Sequence, residues 1–116
     1  MRPRSVTYKR WDVVAVDFPF VEGTDSKRRP ALVISSDRLR ATQGVYWIAM
    51  ITTAKSGARA DDIAVTDHDG AGLPEKCVIR LARVTTVSDG QVSRRLGEIK
   101  AKDRNAVSAL LKQYAP

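Results

Sequence analysis

Two arginines and a set of loop cations are the side chains in this sequence best placed to act on an anion. Arg29 stands directly before Pro30 in the run Lys27-Arg28-Arg29-Pro30. Proline restricts the backbone of the residue that precedes it. The apolar run Ala31 to Ile34 that follows reads as a strand buried on both faces, with Pro30 at its first position where no ladder donor is lost. Arg29 is therefore held at the mouth of a buried strand, and its planar fork suits two oxygens of one phosphate. Arg80 lies between Ile79 and Leu81, so period two sends it to the face opposite theirs, either as a cation in a groove or as a solvated strand residue. Lys27, Arg28 and Lys55 lie in polar stretches and offer a basic rim for a phosphate backbone, although charged loops are ordinarily just solvated. His68 has the titration range of an acid or base, but its DHDG setting reads as a solvated turn. Cys77 reads as a small strand residue, since nucleophilic use needs a lowered thiol pKa. With one cysteine and one histidine, no disulfide framework and no cysteine-histidine zinc site can be assembled within the chain. No metal and no cofactor are expected.

The elements that must position these residues fit one domain spanning residues 1–116. The 20 lysines and arginines exceed the 13 aspartates and glutamates, and a charge of +7 makes nucleic acid the leading partner. The longest apolar stretch, Val45 to Ile51, is too short to cross a bilayer. The basic N-terminus is not followed by the apolar segment of a signal peptide, so the expected location is the cytoplasm, with no membrane partner. Residues 1–10 lack periodicity and read as a flexible arm. In the first strand Val14, Val16 and Phe18 alternate with Ala15 and Asp17, and Pro19 ends it. Val21 to Arg29 reads as a surface loop. Asp37 to Gln43 reads as a loop or a single helical turn, closed by Gly44. Val45 to Thr53 is a strand with Ile48, Met50 and Thr52 on one face and Trp47, Ala49, Ile51 and Thr53 on the other. Lys55 to Asp62 is a polar loop, Ile63 to Thr66 a short strand, Cys77 to Val87 a long one, and Arg94 to Ile99 a short edge strand. Val107, Leu110, Leu111 and Tyr114 form the stripe of a helix from about Lys102 to Tyr114. Phe20, Tyr46 and Trp47 read as core rather than as platforms for bases. Strands first and one helix last give a mainly β fold, a small antiparallel barrel or curled sheet capped by a C-terminal helix.

The segments WDVVAVDFPF, KRRPALVIS, IAMITT, AGLPEKCVIRLARVTTV and RLGEIKAKDRNAVSALL occur in an order and spacing that resemble the MazF/PemK toxins of toxin-antitoxin pairs, over nearly the whole chain. The resemblance implies an SH3-like barrel, a homodimer, metal-independent cleavage of single-stranded mRNA, and inhibition by an antitoxin whose acidic or disordered C-terminal tail fills the RNA groove. It implies catalytic roles for Arg29, for Thr52 at the end of the third strand, and for Arg80. Lys27, Arg28, Thr53 and Lys55 are the expected RNA-binding residues. The chain departs from the pattern at three positions. Ala82 stands where members that use the strand arginine hold an aspartate as base, Trp11 replaces a glycine, and Cys77 replaces a serine.

Cleavage of RNA without a metal needs a base at the 2′-OH, cations on the phosphorane and an acid at the 5′-oxygen, with charge stabilisation usually the largest contribution. Arg29 and Thr52 suit the stabilising role, Arg80 the attacking or leaving oxygen, and the base is unassigned. Two other readings use the same residues: a toxin-fold binder without catalysis, as in the related toxins that poison DNA gyrase, and an SH3-like nucleic-acid-binding module.

Overall fold

The computed structural model describes residues 6–18 and 27–116. The β-branched run Asp12–Phe18 forms β1, and β2 spans Lys27–Val33. A surface helix α1, Asp37–Gln43, ends at Gly44, whose φ of 70° provides the left-handed cap. The strands β3 (Val45–Thr53), β4 (Ile63–Ala64), β5 (Cys77–Ser88) and β6 (Val92–Glu98) follow, and α2, Ala101–Tyr114, closes the chain. All six strands lie in one antiparallel sheet in the order β4-β5-β3-β2-β1-β6.

Alternation divides the sheet's side chains between two apolar clusters. Val13, Leu32, Ala49, Ile51, Ile79 and Leu81 face α2, where Ile99, Val107 and Leu110 cover them. Val14, Val16, Ala31, Val33 and Ile48 face the other way and pack with Tyr8, Tyr46, Val87 and Val92. Asp103 in the first turn of α2 accepts hydrogen bonds from the Thr66 amide at 2.9 Å and hydroxyl at 2.6 Å, tying the helix to the end of β4. The sheet is barrel-like without being closed. Between its two edges lies the turn after β4, where the Glu98 amide donates to the Gly70 carbonyl at 3.3 Å.

Four expectations are revised. Helix α1 is a seven-residue helix rather than a loop or single turn. β2 begins at Lys27, so Pro30 lies inside the strand opposite Ala15, one residue before the ladder to β3 begins at Ala31. The arm expected over residues 1–10 is not uniform: residues 1–5 lie outside the described part, whereas Tyr8 is buried, with its amide on the Tyr46 hydroxyl at 3.1 Å and its ring edge-on to that of Tyr46. Trp47 is half exposed rather than core, while Tyr46 is core as expected. Phe20, and the part of the expected loop from Val21 to Ser26, lie outside the described residues.

Trp11, where the resemblance leads one to expect glycine, adopts the backbone that glycine favours, with φ at 80°. Its amide donates to Val33 and its carbonyl accepts from Ile99, so it joins β2 to the start of α2 while its ring packs on the core. Gly97 on β6 has a different constraint. A methyl there would meet the backbone of Gly70 and Ala71. Gly97→Ala should therefore lower stability by about 1–3 kcal/mol through overpacking, read from the urea midpoint. An unchanged midpoint would show that this turn is not held against β6.

Candidate active site

The register of three adjacent strands brings the expected catalytic residues to one face. Val14 pairs with Ala31, Ala31 with Met50, and Met50 with Arg80, so these four form one row across the sheet. Two residues along each strand lies a parallel row, in which Val16 pairs with Arg29 and Thr52 with Val78. The β2–β3 ladder runs from Ala31 opposite Met50 to Val33 opposite Ile48, and period two along each strand puts Arg29 on the face of Ala31 and Thr52 on that of Met50. Paired residues of an antiparallel ladder project to the same face. Arg29, Thr52 and Arg80 therefore share the face of the second cluster.

Their surroundings differ. Arg29 is exposed, and its guanidinium makes no hydrogen bond among the described residues. Thr52 is half buried, its hydroxyl donating to Ser56 at 3.3 Å, and the Thr53 hydroxyl lies 3.0 Å from the same Ser56 oxygen. Arg80 neither emerges into solvent nor lies free in a groove, contrary to both readings of its alternation. Its side chain is 8% exposed and its partner Asp62 only 6%. The Arg80 Nε donates to Asp62 Oδ1 at 3.0 Å and Nη2 to Oδ2 at 2.9 Å, while Nη2 also reaches the Gly57 carbonyl at 3.2 Å. A buried guanidinium needs such a partner, because an unpaired charge there would be strongly disfavoured. Hydrogen bonding to Arg80 holds the Asp62 carboxyl below its ordinary range, and the same bond raises Arg80, so both stay ionised.

Asp62 was missed by the sequence reading. It closes a tight turn in which the Arg59 amide donates to its Oδ2 at 2.9 Å and its own amide donates to the Arg59 carbonyl. The preceding Asp61 adopts a φ of 67° and accepts a 2.7 Å hydrogen bond from the Tyr114 hydroxyl of α2. The connection between β3 and β4 is thus fastened at Thr52, at Arg80 and at α2. Its only sequence signal was an aspartate pair in a polar loop, which ordinarily means solvation. On β5 the pairing with β3 jumps from Val84 opposite Ala49 to Arg80 opposite Met50, leaving Leu81, Ala82 and Arg83 in a bulge. The exposed Ala82 lies in that bulge.

The expected basic rim is partly compensated. Arg28 Nε lies 3.1 Å from Asp17, and the Lys55 ammonium, 87% exposed, lies 3.7 Å from Glu75. Exposed pairs of this kind hold weakly and leave both cations available to phosphate. Lys27 begins β2. Cys77 is buried, which raises its thiol pKa and makes it inert as a nucleophile. His68 lies in the turn after β4 with its Nε2 3.6 Å from Asp69. A groove of about 980 Å³ lies near the opposite end of β3, lined by Trp47, Leu39 and Leu111 with Arg10, Arg38 and Lys112. Among the described residues no cluster of three His, Cys, Asp or Glu side chains could hold a metal, and no helix is long and apolar enough to cross a membrane.

Residues 9–115 match the model of the PemK-like, MazF-like toxin of type II toxin-antitoxin systems. The chain belongs to that family. No curated protein sequence matches it. A MazE-MazF structure from Deinococcus radiodurans superposes with a TM-score of 0.72 at 17% identity, over 95% of this chain and 97% of that one. The toxin MazF-mt6 of Mycobacterium tuberculosis gives 0.69 at 17% identity, over 88% and 93%. A mycobacterial endoribonuclease in complex with its cognate antitoxin gives 0.69 at 16%, over 91% and 90%. At such identities these likenesses establish the PemK-like, MazF-like fold, including the antiparallel sheet and the C-terminal helix.

The Arg80–Asp62 pair in this candidate site has a pH signature. Because the folded Asp62 carboxyl titrates below its ordinary value of 3.8, the pair stabilises the fold above that value and loses its contribution as pH falls through the lowered one. Below about pH 4 the wild type should lose stability more steeply than Asp62→Asn, which has no proton to take up at this position. Equal slopes in urea titrations at pH 3 and pH 6 would contradict the pairing.

Proposed function

We propose that this toxin is a sequence-specific endoribonuclease that cuts single-stranded mRNA without a metal and leaves a 2′,3′-cyclic phosphate. The observation that carries this reading is the convergence of Arg29, Thr52 and Arg80 on one face of β2, β3 and β5. In the proposed reaction the 2′-oxygen attacks the adjacent phosphorus, its proton passing to a base, and the bond to the 5′-oxygen breaks as that oxygen is protonated. Arg29, exposed and without a protein partner among the described residues, takes two oxygens of the phosphorane in its fork. Thr52 turns its hydroxyl from Ser56 to a phosphate oxygen. Arg80 stabilises charge on the attacking or leaving oxygen. Lys27, Arg28, Thr53 and Lys55, near Arg29 and Thr52 in the chain, hold the RNA backbone.

The chain works in the cytoplasm as a homodimer, as the resemblance implies. An antitoxin with an acidic or disordered C-terminal tail inhibits it. The chain's charge of +7 supports both an RNA substrate and an acidic inhibitor. A second reading, a toxin-fold binder without catalysis, is favoured by Ala82 and by the occupied state of Arg80. It predicts RNA binding with no product.

Arg29→Ala separates the two. As a ribonuclease the protein should cut RNA in excess EDTA, and the substitution should lower the single-turnover rate at saturating RNA by about 100-fold or more while weakening binding far less. Arg29→Lys, which keeps the charge and loses the fork, should fail to restore the rate. A rate that is the same for wild type and Arg29→Ala would refute the assignment, and complete loss of cleavage on chelation would refute the metal-free chemistry.

A further inference from the structure

Arg80 has three donor nitrogens, and the protein occupies two of them. Nε and Nη2 are held by the two oxygens of Asp62, and Nη2 also by the Gly57 carbonyl. Nη1 makes no hydrogen bond among the described residues, and it is not one of their buried polar atoms left without a partner. It is therefore the one nitrogen of the guanidinium that Asp62 and the Gly57 carbonyl leave uncommitted among the described residues. A guanidinium gripped at two points by a carboxylate is fixed in its plane as well as its place. Asp62 is poorly suited to accept a proton itself, since Arg80 engages both oxygens and the Arg59 amide engages Oδ2 again.

The chain holds alanine at position 82, where the resemblance leads one to expect a carboxylate, and that alanine lies exposed in the β5 bulge. The carboxylate beside Arg80 comes instead from the connection between β3 and β4. We propose that Asp62 is a positioning residue for Arg80, fixing the guanidinium so that its Nη1 edge alone is presented to the scissile phosphate. This inference rests on the ribonuclease reading.

Single-turnover cleavage of a single-stranded RNA at saturation tests it in four proteins: wild type, Asp62→Asn, Arg80→Ala and the double variant. Asp62→Asn should slow cleavage by about 10- to 100-fold, the cost of a misplaced catalytic group, with little change in RNA affinity. In the Arg80→Ala background the same substitution should cost nothing further, because the group it positions is gone. An unchanged rate overturns the inference, as does an equal slowing in both backgrounds, which would mean that Asp62 acts independently of Arg80. A faster rate also overturns it, since that would make Asp62 a mask over Arg80. If Asp62→Asn does not fold, Asp62→Glu keeps the charge and shifts it by one methylene; slowed cleavage then supports positioning and a normal rate overturns it. A wild type that binds RNA and leaves it intact refutes the ribonuclease reading itself, whereas an active wild type with indifferent variants refutes only the role of Asp62.

Discussion

A charge buried in a sheet has to be neutralised where it lies, and the Arg80–Asp62 pair is how this sheet does so. β5 runs through the fold with Ile79 and Leu81 in the cluster under α2, which forces the intervening Arg80 to the other face. That face is also apolar further along β1, β2 and β3. With only 8% of the Arg80 side chain exposed, water solvates little of the guanidinium, so a carboxylate must neutralise it. The connection between β3 and β4 supplies it, and the rest of that connection is arranged around the delivery: a closed turn at Arg59 to Asp62, an anchor from Tyr114, and Ser56 beside the threonines that end β3.

The pairing also explains why the charged side chains on one face of the sheet behave so differently. Arg29 and Arg80 are both strand arginines with apolar neighbours. Arg29 faces Val16 of β1 and is exposed, whereas Arg80 lies opposite Met50 of β3 and is buried. Among the described residues one cation thus has its whole fork uncommitted, and the other is oriented by Asp62. Thr52 sits between their strands. Such a mixture of one adaptable and one prearranged donor suits an anion whose charge redistributes during a reaction.

Away from the site, two residues absorb departures from the family pattern. Trp11 takes a left-handed backbone without glycine's freedom, and its hydrogen bonds to Val33 and Ile99 together with core packing offset that strain. Cys77 stands at a serine position and is buried, with its thiol 3.3 Å from the Glu75 carbonyl, so a small group with a weak donor suffices there.

Much of this was legible in the chain because short-range pattern determines it. The β-branched run Val45 to Thr53 specified its strand to the residue, the stripe Val107, Leu110, Leu111 and Tyr114 placed α2 to within one residue at its start, and period two assigned Ile48, Met50 and Thr52 to one face. Period two likewise put Arg80 on the face away from Ile79 and Leu81. What lay beyond the sequence was long-range. Nothing in the order of residues says that Leu81 to Arg83 bulge out of register with β3, since a register shift depends on how two distant strands fit. Nothing says that Asp62, in a polar loop, lies against an arginine 18 residues later. Alternation could tell only that Arg80 opposes Ile79 and Leu81. Whether the space it enters is water or protein is decided by the chain that folds over it, and for that reason only the tertiary structure could turn a solvated-looking cation into one half of a buried ion pair.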